Sequence, residues 1–421
     1  MKKISSLIVL LISISFSNDL LSQDINCYMT GQINGRDSKN LILVNGQEDP
    51  RFNGVKIPII DNRFEYELKT KNIEKYQLIF EDELQQGAFK PIDFFPENCS
   101  IKFNLHPSNE FEKNEIIGGE LSIKMQDFEN KRKEIFYSQF EPIELAMDSL
   151  DAADNLMNEK AKLLQSSARN STNPDEKNKL FGELRTLMEN NEGYSEEALI
   201  YKIKGDSLHK EMLDWQNEYI KSNHDIFSYS LLLETFQQKE QLKDKVDIDS
   251  LIKLYSVFAS KFSSHPYTNQ IYAMIGAINT IKVGGQYIDF NANTLDGESV
   301  GISEIIKNKI AVIDLWASWC SPCRRLSMSM IPVYEKYKDK GFVIVGIARE
   351  YNDTERFKTA IEKDKYPWLN LIELDNKNDI WNKYNISNAA GCTYLIDKNG
   401  QILAINPTAE ELDKILNEIY E

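Results

Sequence analysis

The hydrophobic pattern of residues 24–118 consists of short apolar runs separated by turn residues. The runs are rich in β-branched and aromatic side chains, and Asn45-Gly46 and Asp61-Asn62 are among the turns that interrupt them. Short strands with regular turn signals are typical of a β-sandwich or a small barrel. The pattern predicts an N-terminal β-sandwich-like domain, with strands at residues 41–44, 55–60, 63–68, 76–80 and 100–105.

Residues 119–282 have a different pattern, in which apolar residues recur every three or four positions. Leu180, Leu184 and Leu187 show this spacing, and Leu208 and Met212 show it further along. Such spacing is typical of amphipathic helices. The segment is therefore predicted to be a central helical region. Either it is an arm that docks a partner, or it is a spacer or a helical layer packed on its neighbours. The structural role is favoured because amphipathic stripes usually face a core.

In residues 283–421, apolar runs of strand length alternate with segments of helical period. Residues 310–317 and 342–348 are predicted as buried strands, and residues 322–338 as a helix bent at Pro332. Asp397-Lys398-Asn399-Gly400 is a hairpin turn signal. Alternating strands and helices with a late hairpin indicate a mixed sheet covered on both faces. The chain as a whole is predicted to be a multidomain α/β protein.

The first 23 residues have the pattern of an export signal. Lys2 and Lys3 precede an apolar run at residues 7–16, and small residues follow it. A run of about ten residues is too short to span a bilayer, which takes about 20. The signal peptide is assigned to residues 1–23, and the mature protein is expected to be soluble in the periplasm or cell envelope. An uncleaved, membrane-anchored form is the alternative.

The charge of the chain narrows the range of partners. The 421 residues carry a net charge of −16, with 65 acidic against 49 basic side chains. A nucleic-acid partner would need a basic face to neutralise phosphates. No nucleic acid is therefore expected to bind.

The candidate chemistry lies in Trp319-Cys320-Ser321-Pro322-Cys323, between a predicted strand and a predicted helix. Unpaired N–H groups and the positive end of the helix dipole meet there, which lowers a thiol pKa and favours the first cysteine as a nucleophile. Pro322 suits a first helical turn. Arg324 adds positive charge nearby, unless its head is merely solvated.

The cysteine pair has three possible roles: a redox dithiol, a structural disulfide and half of a zinc site. The chain has five cysteines, has no second Cys-x-x-Cys and has no histidine after His265. Zinc in a structural site takes four protein ligands, which this pattern does not supply. The position of the pair between a strand and a helix favours the redox role. Neither a metal nor a cofactor is expected. Cys27 and Cys99 would form a disulfide only if their Cα atoms lie within about 7 Å.

These motifs resemble those of extracytoplasmic thioredoxin-like thiol-disulfide oxidoreductases of the TlpA/ResA type. The matching segments are Gly285 to Phe290, Asp314 to Arg324, Tyr334 to Tyr337, Gly341 to Ile347 and Leu395 to Gly400. The resemblance implies a thioredoxin fold for residues 283–421. The N-terminal part of the chain resembles, more weakly, a β-rich domain that is often fused ahead of such modules.

The resemblance also implies roles for the site residues. Cys320 would attack a substrate disulfide and Cys323, one turn deeper, would resolve the mixed disulfide. Ser321 and Pro322 would tune the reduction potential of the pair. Trp319 would pack against the site and shield it without taking part in the chemistry. Asp314 stands where thioredoxin itself has a buried aspartate that helps to move the proton of the second cysteine, and many extracytoplasmic relatives lack this residue. Burial would raise its pKa toward the working range. A strand-end aspartate in a hydrogen-bond network is the alternative for Asp314.

Two departures from the family pattern stand out. The family has a cis-proline followed by threonine before the strand at Leu395, but here that position is Gly391, followed by Cys392. A non-proline cis bond costs about 3–4 kcal/mol, so a trans or rearranged loop is expected. Cys392 is either a third redox thiol or, as favoured, a buried small apolar side chain. On the helix, Leu326 and Met328 replace the family's Glu and Pro.

The function predicted from these observations is an envelope oxidoreductase that reduces disulfides of exported proteins, with apocytochrome c among the candidate substrates. The resemblance implies a membrane thiol transporter as electron donor. An oxidase or isomerase is one alternative, and a binding protein with a weakly active thioredoxin unit is another. A peroxidase of the peroxiredoxin type is disfavoured, because Ala317 stands three residues before Cys320, where that family places Thr.

Overall fold

The computed structural model describes residues 24–238, 247–386 and 391–421. The export signal predicted for residues 1–23 lies outside these ranges. Within them, no helix is both long and apolar enough to cross a membrane.

The N-terminal part folds as two four-stranded sheets that face each other across one apolar core. Side chains that alternate between the two faces of each strand form this core. In the first strand, for example, Met29 is buried while the adjacent Tyr28 is exposed. Phe103 from one sheet meets Leu41 and Phe94 from the other in this core. The predicted β-sandwich-like domain is therefore confirmed.

The N-terminal domain has eight strands, of which the apolar runs in the sequence predict five. The first, sixth and eighth strands were not predicted. The strands are β1 (Ile25–Ile33), β2 (Asn40–Asn45), β3 (Val55–Pro58), β4 (Arg63–Thr70), β5 (Tyr76–Phe80), β6 (Ile92–Phe94), β7 (Ser100–Leu105) and β8 (Glu115–Ile117). Their orders are β4-β1-β7-β8 and β3-β2-β5-β6. The helices here are α1 (Pro50–Asn53), α2 (Glu81–Gln86) and the 3₁₀ segment Ser108–Lys113.

The central region is helical, as predicted, and most of it packs as a layer on the β-rich domain. Phe95 enters the main helical core, where it meets Phe227 edge to face. The backbone N–H of Lys75 donates to the Tyr267 hydroxyl at 2.8 Å, and its ammonium lies 2.6 Å from Glu234. The helices are α3 (Glu120–Arg132), the π segment Lys133–Tyr137, α4 (Ser138–Ala152), α5 (Glu159–Asn170), α6 (Pro174–Glu189), α7 (Glu196–Ser222), α8 (Ile226–Gln237), α9 (Ile248–Lys261) and α10 (Pro266–Thr280).

Helices α5 and α6 form a hairpin with a small core of its own, made by Ala161, Leu184 and Leu187. We call this hairpin the helical arm. Asn158 caps α5 by accepting the N–H of Ala161 at 3.1 Å. The arm is separate from the main helical core and faces the C-terminal domain.

The C-terminal domain has one mixed sheet with an apolar core on each face, as predicted. Its strands are β9 (Asn291–Asn293), β10 (Ser299–Gly301), β11 (Ala311–Trp316), β12 (Val343–Glu350), β13 (Leu369–Leu374), β14 (Cys392–Ile396) and β15 (Ile402–Ile405), in the order β10-β9-β13-β12-β11-β14-β15. Central β11 runs parallel to β12 and antiparallel to β14, and all its residues are buried.

The helices of this domain are α11 (Ile302–Ile306), α12 (Ser321–Ser329), α13 (Ile331–Tyr337), the 3₁₀ segment Lys338–Lys340, α14 (Glu355–Asp364), α15 (Ile380–Lys383) and α16 (Ala409–Tyr420). The single bent helix predicted for residues 322–338 is instead two helices that meet at Met330. Pro332 lacks an N–H and its ring crowds the carbonyl four residues back, so the first helix ends before it.

Candidate active site

The two cysteines lie where β11 gives way to α12. Cys320 is the N-cap of α12, and its sulfur accepts the backbone N–H of Cys323 at 3.3 Å. Ser321 and Pro322 form the first turn of the helix. Cys320 and Cys323 are joined as a disulfide, with their Cα atoms 5.4 Å apart. On reduction, a thiolate at Cys320 faces the unpaired N–H groups of the helix start.

The exposure of the two cysteines differs from the expected order. Cys320 is only 8% exposed, whereas Cys323, expected to be the deeper of the two, is half-buried. Trp319, directly before Cys320, is itself covered by the N-terminal domain. The Arg51 guanidinium lies 5.0 Å from the Trp319 ring, and the Phe52 ring lies 6.1 Å from it.

Hydrogen bonds fix the loop between β11 and Cys320. The backbone N–H and hydroxyl of Ser318 donate to Glu350 at 2.9 and 2.7 Å, and burial raises the pKa of that carboxyl. The Arg324 guanidinium donates to the Ser318 carbonyl at 3.1 Å. Trp319 and Cys320 therefore follow an anchored residue.

Arg324 is held in an ion pair and is only partly exposed. Its guanidinium binds both oxygens of Asp364, at 2.6 and 2.7 Å, and the Tyr366 hydroxyl donates to the same carboxylate at 2.9 Å. This pairing holds the pKa of Asp364 below its usual range. With its charge paired in this way, Arg324 positions the loop through the Ser318 carbonyl.

Asp314 is buried in the centre of β11, as predicted, and is 2% exposed. Burial raises the pKa of its carboxyl to about 7, against a smaller opposing effect of the Ser327 hydrogen bond. The Ser327 hydroxyl lies 2.7 Å from Asp314 Oδ2 and 3.0 Å from the carbonyl of Cys323. A neutral Asp314 can donate to Ser327 while Ser327 donates to Cys323, so one hydrogen-bond chain links the acid to the turn that carries Cys323.

Gly391 packs directly on the cysteine pair. A Cβ at this position would lie 2.4 Å from the Leu315 carbonyl oxygen and 2.8 Å from the sulfur of Cys323. No side chain fits there, and the same crowding excludes a proline ring. Residues 387–390 lie outside the described ranges, and within those ranges every peptide bond is trans.

Cys392 follows on β14, opposite Leu315. It is a free thiol, and burial raises its pKa to about 11. Cys27 and Cys99 are also free, with the pKa of Cys27 raised to about 11 by burial. Among the described residues, no three His, Cys, Asp or Glu side chains are grouped as metal ligands.

Sequence reasoning missed the residues that support this site. Ser327 was within reach, since it lies four residues after Cys323 on the same helix and therefore on the same face. Glu350, Asp364 and Phe52 lie 30 or more residues away from Cys320 along the chain. No local pattern connects them with the cysteines.

The C-terminal third of the chain is similar to known proteins. Residues 283–405 match the AhpC/TSA family. Thiol-disulfide oxidoreductase ResA of Geobacillus kaustophilus is 28% identical over 144 residues, which are 33% of this chain and 79% of that protein. Thioredoxin-like protein YneN of Bacillus subtilis is 29% identical over 142 residues, covering 32% and 80%. The crystal structure of the thioredoxin domain of a thiol-disulfide oxidoreductase from Bacteroides vulgatus is 28% identical, covers 33% of this chain and 99% of that one, and has a TM-score of 0.31.

Proposed function

We propose that residues 283–421 are a thioredoxin-like thiol-disulfide oxidoreductase domain of the TlpA/ResA type and that the protein reduces disulfides of exported proteins in the cell envelope. The match of residues 283–405 to the AhpC/TSA family and the similarity to ResA and YneN support this. The placement of Cys320 as the N-cap of α12 carries this proposal. A helix start stabilises a thiolate, and the thiolate is the species that attacks a disulfide. The proposed units are the signal peptide 1–23, the β-rich domain 24–118, the helical region 119–282 and the thioredoxin-like domain 283–421.

In the first step, the Cys320 thiolate attacks one sulfur of a substrate disulfide. The substrate S–S bond breaks, a mixed disulfide to Cys320 forms, and the other substrate sulfur leaves as a thiolate that takes up a proton. The N–H of Cys323 and the helix dipole stabilise the negative sulfur before the attack. Trp319 shields this sulfur on one side.

In the second step, Cys323 loses its proton and attacks the sulfur of Cys320. The mixed disulfide breaks, the substrate leaves as a dithiol, and the Cys320–Cys323 disulfide forms, so that two electrons have passed to the substrate. Asp314 is proposed to accept the proton of Cys323, because burial raises its pKa to about 7, close to neutral pH. Ser327 holds its carboxyl beside the Cys323 turn.

A dithiol donor must then reduce the Cys320–Cys323 disulfide, and we propose a membrane thiol transporter for this role. The apolar run at residues 7–16 supports export, and with it a location in the envelope. Disulfides persist in such compartments, so exported proteins supply the substrates. Apocytochrome c, whose cysteines must be reduced, is a candidate among them.

Reduction of insulin disulfides tests the proposal. Wild type supplied with a dithiol should reduce insulin, and Cys320→Ser should not. Cys99→Ser is the matched control, because Cys99 is a free cysteine of the N-terminal domain. Equal activity of wild type and Cys320→Ser would reject the proposal. A reduction potential of about −270 mV would support a reductase, and one of about −120 mV an oxidase.

The low exposure of Cys320 favours one further candidate function, that of a binding protein with a slow redox unit. Cys323→Ser separates the two, because it leaves Cys320 able to form a mixed disulfide that is not resolved. Partners held covalently by Cys320 support the oxidoreductase. Partners that bind equally without both cysteines support the binding protein.

A further inference from the structure

A cleft of about 1690 Å³ separates the helical arm from the active-site helix α12. Leu163 and Phe181 lie on the arm side of the cleft, and Leu326 and Met328 lie on the α12 side. Pro322, between the two cysteines, lines the end of the cleft that is nearest the disulfide. Pro322 thus places one end of the cleft beside the cysteine pair, and neither cysteine lines the cleft itself.

Apolar side chains on both walls are left uncovered. Leu163 is 65% exposed and Met328 is 38% exposed, although both are large and apolar. Uncovered apolar side chains that face one another across a cleft are more typical of a binding site than of ordinary surface. Here they lie among charged lining residues that include Lys160, Glu183 and Arg325. Leu326 and Met328 are also the two positions at which the helix departs from the family pattern: Leu326 puts an apolar side chain where the family has Glu, and Met328 a longer one where it has Pro.

The arm keeps its shape through its own core, and across the gap Lys179 lies 3.9 Å from Glu410 at the start of α16. An ion pair at this distance between exposed side chains contributes little. The pair lies at one edge of the cleft, where the two walls come close, and it does not cover the apolar side chains of the walls.

The dimensions fit a polypeptide better than a small molecule. Pockets for small molecules are about 300–1,000 Å³, less than this cleft. From Pro322 to Ser329 the helix rises about 10 Å at 1.5 Å per residue, which matches about three residues of extended chain at 3.3 Å each. An extended segment held there has its neighbouring residues beside the cysteine pair.

We propose that this cleft binds an extended apolar segment of the disulfide-bearing substrate polypeptide and thereby presents the adjacent cystine to Cys320. The inference rests on the proposed reductase function and names what that function recognises. It also gives the helical arm a role in substrate selection, since the arm supplies one of the two walls.

Two peptide substrates test the cleft: a small ring closed by one disulfide, and the same ring with a short apolar extension. Wild type should reduce the extended peptide with a kcat/KM about tenfold higher, since one buried apolar side chain is worth at least that factor. Leu163→Glu and Met328→Glu place a charge on opposite walls and should each bring the ratio of the two rates close to one. Ile203→Glu is the control, because Ile203 is 56% exposed on α7 and does not line the cleft.

The outcomes distinguish a failure of this inference from a failure of the proposed reductase function. If wild type reduces both peptides equally, or if the advantage of the extended peptide survives in both Leu163→Glu and Met328→Glu, the cleft is not the substrate site although the reductase stands. If wild type reduces neither peptide, the proposed function fails, and this inference fails with it. Loss of the advantage in Ile203→Glu would also overturn the assignment to the cleft.

Discussion

The ring of Phe52, in the β-rich domain, lies 6.1 Å from the ring of Trp319, the residue before Cys320. Phe52 also stacks on Tyr351 of the C-terminal domain at 4.6 Å. Its neighbour Arg51 lies over Trp319 and forms an ion pair with Asp49, the N-cap of α1. A domain without visible catalytic residues thus reaches the edge of the dithiol site.

Removing the Phe52 ring should expose Cys320. Two aromatic contacts of about 1 kcal/mol each are lost in Phe52→Ala, so the open form should become about 30-fold more populated. The rate at which iodoacetamide alkylates Cys320 in the reduced protein, followed by mass spectrometry, measures this. Phe89→Ala is the matched control, since Phe89 is 37% exposed in the same domain. Equal rates in Phe52→Ala and wild type would show that this contact does not limit access.

Asp314→Asn should slow the second exchange step. An asparagine can keep the hydrogen bond to Ser327 but cannot accept the proton of Cys323, so the expected loss is on the order of 100-fold, the low end for a positioned proton acceptor. The wild-type rate should rise as the pH passes about 7, where Asp314 ionises. Rapid-mixing measurements of mixed-disulfide resolution at several pH values test this. A rate in Asp314→Asn that rises over the same pH range would assign the titration to another group.

The same carboxyl should make stability depend on pH. The pKa of Asp314 is about 7 in the folded protein, whereas an aspartate free of the fold has a pKa of 3.8. Between these pH values the unfolded state loses a proton that the folded state keeps. Wild type is therefore destabilised as pH rises from about 4 to 7, by at most about 4 kcal/mol. Asp314→Asn lacks this loss, and its stability relative to wild type should grow across that window. Denaturant unfolding at pH 4.5 and 8 measures the difference, and a pH-independent difference would contradict the assignment.

The sequence predicts the C-terminal domain well because its signals are local. A buried apolar strand, a Cys-x-x-Cys and a helical period stand in succession, and each is readable within about ten residues. The break at Met330 was placed two residues late, since the effect of Pro332 falls on the turn before it. The missed strand β1 alternates apolar and polar side chains and includes Gly31, so it lacks an apolar run.

The site was predictable only in part, because its support is not local. The burial of Asp314 follows from its place in an apolar strand, whereas the pairing of Arg324 with Asp364 depends on how α12 and the end of α14 approach each other. The contact of Phe52 with Trp319 joins two domains. Neither a helical nor a strand period carries information about such contacts.

Cys392 should behave as an inert thiol. With a pKa of about 11, about one molecule in 10,000 carries the thiolate at pH 7. Iodoacetamide at pH 7 should leave it unmodified in the folded, reduced protein while Cys320 reacts, and Cys392→Ala should keep the insulin-reducing activity. Peptide mapping by mass spectrometry separates the two cysteines. Rapid modification of Cys392, or a mixed disulfide at this position, would instead make it a third redox thiol.

Gly391→Ala should damage the site through packing alone. The added Cβ meets the Leu315 carbonyl at 2.4 Å and the Cys323 sulfur at 2.8 Å, so the β14 strand or α12 must shift. Overpacking of this kind costs about 1–3 kcal/mol. The thermal midpoint should fall, and the reduction potential should change because the sulfur of Cys323 is displaced. Gly276→Ala is the control, since a Cβ there meets nothing within 4 Å and a helix favours alanine. If Gly391→Ala proved as stable as Gly276→Ala, with an unchanged potential, the loop would not be packed against the cysteine pair.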